Sequence, residues 1–133
     1  MIADYARRQE IEPSVVLCSS AVRTRETLDR LLPALGSPEV LIERELYEAS
    51  ATHLLNRLRE VPDAAESALL IGHQPAIQQL ALGLAGNGDQ LARLRDKFPT
   101  AAMASLVFVG GWDELGPGRA ELVDYVKPKE LAD

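Results

Sequence analysis

Four short apolar runs, Val15–Cys18, Val40–Ile42, Ala68–Ile71 and Ala104–Val109, are each bounded by turn-forming residues, the pattern of strands buried on both faces. Amphipathic helical periodicity fills the intervals. The first such pattern runs from Ser20 through Leu28, Leu31, Leu32 and Leu35 to Gly36. Ser19 or Ser20 is placed to cap its start, and Gly36 to stop it. A second begins after Ser50, carries Leu54, Leu55 and Leu58 on one stripe, and ends before Pro62. A third follows Gly72-His73-Gln74-Pro75, with Pro75 suited to the first turn and Ile77, Leu80, Ala81 and Leu84 facing inward.

Strands alternating with helices imply right-handed crossovers, so the pattern predicts an α/β fold, a three-layer helix-sheet-helix with a mainly parallel sheet. Ala104–Val109 and Ala120–Val126, joined by the Gly/Pro-rich stretch Gly110–Gly118, predict a C-terminal antiparallel hairpin at the sheet's end. Gly83, Gly86 and Gly88 do not follow a strand as a dinucleotide loop requires and are expected to end the third helix. Residues 2–12 read as the closing turns of a helix with Ile2, Tyr5 and Ala6 as its apolar stripe. An α/β unit normally opens with a strand, so a strand is expected upstream of this helix. The tail after Lys127 is expected to fray.

Composition narrows the class. The chain has 133 residues, 47% hydrophobic and 26% charged, and a chain of this length buries roughly 65–70% of its unfolded surface without staples. Residues 1–133 are therefore expected to form a single domain. One cysteine, Cys18, excludes an internal disulfide framework, and the first ten residues lack the apolar run of a signal peptide. A cytoplasmic location is expected. No stretch reaches the ~20 apolar residues that span a bilayer, and a net charge of −6 disfavours nucleic acid and anionic membranes as partners. A phosphate site here requires a local concentration of positive charge.

In parallel sheets ligands bind beyond the carboxyl ends of the strands, where helix N-termini point amide N–H groups into a crevice. Two segments deliver polar side chains there. In Cys18-Ser19-Ser20-Ala21-Val22-Arg23-Thr24-Arg25 a strand runs straight into a helix, and an arginine in a first turn is disfavoured by about 0.3–1 kcal/mol unless an anion lies nearby. In Leu69-Leu70-Ile71-Gly72-His73-Gln74-Pro75 an imidazole sits between strand and helix, able to donate to an oxyanion or a leaving group. Taken singly, solvated arginines and a backbone-bonded loop histidine are the plain alternatives. Together, Arg23 offers bidentate oxyanion recognition and His73 a titratable donor.

The other candidates are weaker. A cysteine-phosphatase loop needs Cys, five residues, then Arg, and Thr24 occupies that place; Cys18 reads as a small buried apolar residue. His53 reads as surface or half-core on the second helix. Glu45 and Glu48, flanking Leu46-Tyr47, face either solvent or the crevice, where a protonated carboxyl assists a leaving oxygen. Two histidines and one cysteine form no zinc signature, so metal hydrolysis by that route is not expected, while carboxylates alone could still hold magnesium; no metal site and no cofactor are assigned.

Four blocks in order, Val16-Leu17-Cys18-Ser19-Ser20-Ala21-Val22-Arg23-Thr24-Arg25-Glu26-Thr27, Glu45-Leu46-Tyr47-Glu48, Ile71-Gly72-His73-Gln74-Pro75 and Phe98-Pro99-Thr100-Ala101-Ala102-Met103-Ala104, resemble the histidine phosphatase superfamily, phosphoglycerate mutase-like in fold. Within it they are most similar to the short SixA-type phosphohistidine phosphatases. The resemblance implies a phosphate pocket of Arg23, His73 and Ser19, with Arg23, His73 and Glu48 as catalytic residues, Glu48 by the loosest match. It implies a phosphorylated protein or a small phosphate ester as substrate. Family members open with a strand ending in Arg-His-Gly, whose histidine takes the phosphoryl group; no Arg-His-Gly occurs in this sequence. The expectation is thus an N-terminally truncated domain lacking that first strand and its nucleophile, nearly inactive as written, with a dimer through the vacated sheet groove as one way to fill it. The rival expectation is a non-catalytic phosphate- or protein-binding module on the same fold.

Overall fold

In the computed structural model, which describes residues 2–88, 90–99 and 102–127, Val15–Ser19 forms strand β1, and all five of its residues are buried. The expected tail beyond Lys127, and Thr100 and Ala101 of the fourth block, lie outside the described residues. Burial of β1 follows from its central place: β2 (Glu39–Glu43) and β3 (Ala68–Ile71) flank it, both parallel, in the order β2-β1-β3. Cys18 is level with Ile42 on one side and Ile71 on the other, so all three strands end at one edge.

The chain divides into two compact units, residues 1–49 with 64–73 and residues 50–63 with 74–133. In the first, helix α1 (Ile2–Arg8) and helix α2 (Val22–Leu31), extended by a 3-10 turn at Leu32–Ala34, accompany the parallel sheet. Leu28, Leu31 and Leu35 of the α2 stripe close on Val16, Cys18, Ile71 and Ala6. Each leucine so buried contributes about 1.5–3 kcal/mol. Gly36 then turns the chain with φ +78°, as its expected stop requires. The capping expectation for α2 is corrected: the N-cap is Ala21, which makes no side-chain cap bond. Ser19 instead accepts from the Ala21 N–H at 3.3 Å, just outside the helix.

The second unit begins with helix α3 (Ala51–Arg59), capped by Ser50, whose Oγ accepts the His53 N–H at 3.1 Å. Helix α4 (Ala76–Leu84) has Pro75 at its N-cap, one position earlier than expected. Gly83 lies inside α4, and Gly86 belongs to a short strand β4 (Ala85–Asn87) that the sequence pattern did not predict. Helix α5 (Leu91–Asp96) was likewise not anticipated. The C-terminal hairpin forms as expected from β5 (Met103–Phe108) and β6 (Ala120–Val126), antiparallel, around a connection holding the 3-10 turn Trp112–Glu114. It does not extend the parallel sheet but joins β4 in a separate one, ordered β4-β6-β5. Ala81, Leu94, Leu122 and Tyr125 form the core beneath it.

Candidate functional site

At the carboxyl edge of the parallel sheet, β1 ends on Ser19, which is 0% exposed. The Thr24 hydroxyl folds back from α2 to lie 2.8 Å from the Ser19 carbonyl and 2.9 Å from that of Ala21. This pins the strand-to-helix turn. Arg23 follows one residue into α2, exposed, and its guanidinium makes no hydrogen bond or ion pair among the described residues. The first intrahelical bond runs from Arg25 N–H to Ala21 O at 3.1 Å, so the Val22, Arg23 and Thr24 N–H groups precede it. No acidic residue occupies that first turn. A positive helix end, uncapped by a side chain and carrying an unpaired guanidinium, suits an oxyanion.

His73 arrives from the neighbouring strand, two residues beyond the end of β3. Its Nε2 lies 2.7 Å from Ser19 Oγ. From β2 the chain passes through a 3-10 turn at Arg44–Leu46 to Tyr47, whose ring meets the His73 imidazole edge-to-face, centroids 5.4 Å apart and planes at 68°. Each strand end thus contributes: Ser19 and Arg23 from β1, Tyr47 from β2, His73 from β3.

The structure brings Ser19 and His73 into contact, and sets Arg23 on the turn that leaves Ser19. Ser19, expected to bind phosphate, is enclosed, and its oxygen is engaged by His73 and the Ala21 N–H. Glu45 and Glu48 are exposed beside Tyr47, Glu48 with a left-handed backbone at φ +60°. His53 is exposed on α3. Cys18 is buried; burial pushes its thiol above the ordinary range, against the lowering effects of its contact with Thr24 and the charge of Arg25, so it stays protonated and inert. Tyr47 was missed by sequence reasoning although it lies between the two glutamates singled out for their carboxylates. An aromatic just past a strand end was the available signal. Among the described residues no group of three or more His, Cys, Asp or Glu has metal-holding geometry. An open groove of about 540 Å³ in the other unit, edged by Asn87, Phe108, Arg119 and Glu121, includes none of these side chains.

No protein-family model matches the chain. It is 36% identical over 117 residues to the uncharacterized protein ML1117 of Mycobacterium leprae (strain TN), covering 86% of this chain and 71% of that protein. It is equally 36% identical over 118 residues to the uncharacterized protein Rv1276c of Mycobacterium tuberculosis (strain ATCC 25618 / H37Rv), covering 73% of it. Among solved structures, SixA of Agrobacterium tumefaciens, assigned as a phosphohistidine phosphatase, superposes with a TM-score of 0.79 at 26% identity, over 96% of this chain and 75% of that one. The corresponding protein from Nakamurella multipartitia gives 0.73 at 29% identity, over 95% and 77%. The protein histidine phosphatase SixA complexed with tungstate gives 0.77 at 22% identity and shares the fold. The chain belongs to the family of these mycobacterial proteins, and its fold is that of the SixA proteins in the histidine phosphatase superfamily.

Proposed function

We propose that this chain carries the oxyanion half of a SixA-type phosphatase acting on phosphohistidine in proteins. One observation carries the reading: an unpaired Arg23 at an uncapped helix start, on the turn whose Ser19 holds His73 across the strand ends. In this reading Arg23 grips two phosphoryl oxygens through its planar fork. His73 donates a hydrogen bond to a third oxygen or a proton to the leaving nitrogen. Glu48 stands as the nearby acid, and the first amides of α2 add partial positive charge. Phosphoryl transfer rests largely on such positioning and charge neutralisation, but covalent catalysis needs an in-line nucleophile as well. The 133 residues contain no Arg-His-Gly, and His73, the only histidine in the proposed site, already meets Ser19 through Nε2. Binding without appreciable turnover follows.

The edge of β3 supports the same reading, since among the described strands β3 pairs with β1 alone. A nucleophile-bearing strand is read as adding there, with a second copy of the chain as the other occupant. Likeness to the SixA structures over 95–98% of the chain supports treating residues 1–133 as a single domain, and the lone Cys18 supports a cytoplasmic setting. No helix among the described residues is long and apolar enough to cross a membrane.

The test joins an Arg-His-Gly strand to the chain and assays phosphohistidine hydrolysis. The expected result is no turnover by the 133-residue chain and measurable turnover once the strand is added, lost again with Arg23→Ala or His73→Ala. Robust hydrolysis by the unmodified chain would overturn the predicted inactivity. The absent Arg-His-Gly also favours a second reading, a non-catalytic binding module. It wins if turnover stays absent after restoration while a protein partner binds regardless of added phosphate.

A further inference from the structure

Ser19 and Thr24 are the two buried polar residues among those described, and a buried hydroxyl is tolerated only when its hydrogen bonds are made. Those bonds form one chain. Thr24 donates to the Ser19 carbonyl, the Ala21 N–H donates to Ser19 Oγ at 3.3 Å, and that same hydroxyl lies 2.7 Å from His73 Nε2, a pair in which the ring tautomer decides which side donates. If Nε2 carried the ring proton, the enclosed Ser19 hydroxyl would receive two donors and have no acceptor for its own hydrogen among the described contacts. The buried donor would then be left unsatisfied.

We infer that Ser19 is a positioning residue for His73: its hydroxyl donates to Nε2, fixes the neutral imidazole in the Nδ1–H form, and leaves Nδ1–H as the donor available to a ligand. The hydrogen bond made by one ring nitrogen sets which tautomer the other presents. Nδ1 has no hydrogen-bond partner among the described residues. Tyr47 packs edge-to-face against the ring, so the imidazole is restrained at Nε2 by a directed bond and across its body by an aromatic contact. Thr24 extends the restraint one step back by holding the Ser19 backbone. The inference deepens the proposed oxyanion site and rests on it for its functional meaning; the tautomer itself can be read without any ligand.

The chain has two histidines, His53 and His73, so long-range proton–nitrogen correlation spectra of the 15N-labelled protein show two imidazole patterns, and His53→Gln assigns them. At a pH where both rings are neutral, His73 is expected in the Nδ1–H form by about tenfold. His53 is expected in the Nε2–H form that free imidazole side chains prefer. Ser19→Ala is expected to abolish that excess at His73 and leave His53 unchanged, while Ser19→Thr, which keeps the hydroxyl, restores it. An Nε2–H majority at His73 in the unaltered protein would overturn the inference without any variant, which covers the case that Ser19→Ala fails to fold. An unchanged tautomer in a folded Ser19→Ala chain would do the same. Inorganic phosphate added to the same samples separates the two claims: resonances of His73 that ignore phosphate count against the oxyanion site, whatever the tautomer.

Discussion

Arg23 is the residue whose placement is least explicable by stability alone. It sits in the first turn of α2, where the helix dipole disfavours it, and nothing among the described residues neutralises it. If an oxyanion does, Arg23→Ala should weaken inorganic phosphate binding about 10–100-fold, the equivalent of the ~1.5–3 kcal/mol of a charged hydrogen bond. Arg23→Lys should fall between, since it keeps the charge and loses the fork. Titration followed by the His73 resonances measures both, and equal affinities for all three chains would remove Arg23 from the site. Cys18 gives a pH prediction. Its folded thiol is pushed up by burial, while the unfolded thiol ionises near pH 8.5. The unfolded state therefore sheds its proton first. The thiol's contribution to stability is full below that pH and declines as pH rises towards the folded value. Urea midpoints should drop between neutral pH and about one unit above the free thiol value, and Cys18→Val should drop less; identical drops would contradict the assignment.

Turns and caps in each of the two units can be tested one element at a time. Thr24→Val keeps the shape of the side chain and removes the bonds to the Ser19 and Ala21 carbonyls. It should cost about 1–3 kcal/mol in denaturant unfolding and loosen the β1–α2 turn. Ser50→Ala should cost about 0.5–2 kcal/mol through loss of the α3 cap, and Ser50→Gly only a few tenths. A cost for Ser50→Ala no larger than a few tenths of a kcal/mol would show that the Ser50–His53 cap contributes little. Legibility differed between elements for physical reasons. β1, β2 and β3 were visible because each centres on a short continuous apolar run, although only β1 is buried throughout and β2 is partly exposed. β4 was invisible because its three residues, Ala-Gly-Asn, are held by pairing with β6 rather than by propensity. Gly86 is needed there because a Cβ would stand 2.6 Å from the Gly118 carbonyl oxygen. α5 is six residues long and offers only Leu91, Ala92 and Leu94 as apolar positions among charged residues, too few for a periodic signal. Ser19, one of the two serines expected to cap α2, meets His73 instead, a partner 54 positions away.

On the scale of the molecule, alternating strands and helices gave the α/β class and the parallel sheet, since chain order alone dictates that topology. The second sheet was not legible, because β4 joins β6 across more than thirty residues and nothing local announces the pairing. Of the candidate site, Arg23 and His73 could be read from the sequence because both follow short apolar strands. Their connection through Ser19, and the contribution of Tyr47, depend on the lateral order β2-β1-β3, which no linear pattern contains. Net charge of −6 makes the whole surface repel anions, so any oxyanion that binds must do so at a discrete positive site. Crystals of the chain soaked with tungstate locate that site directly, through the anomalous signal of the metal. A tungstate bonded to both the Arg23 guanidinium and the His73 ring is the predicted result. A tungstate bound elsewhere, or touching one of the two while the other points away, would contradict it.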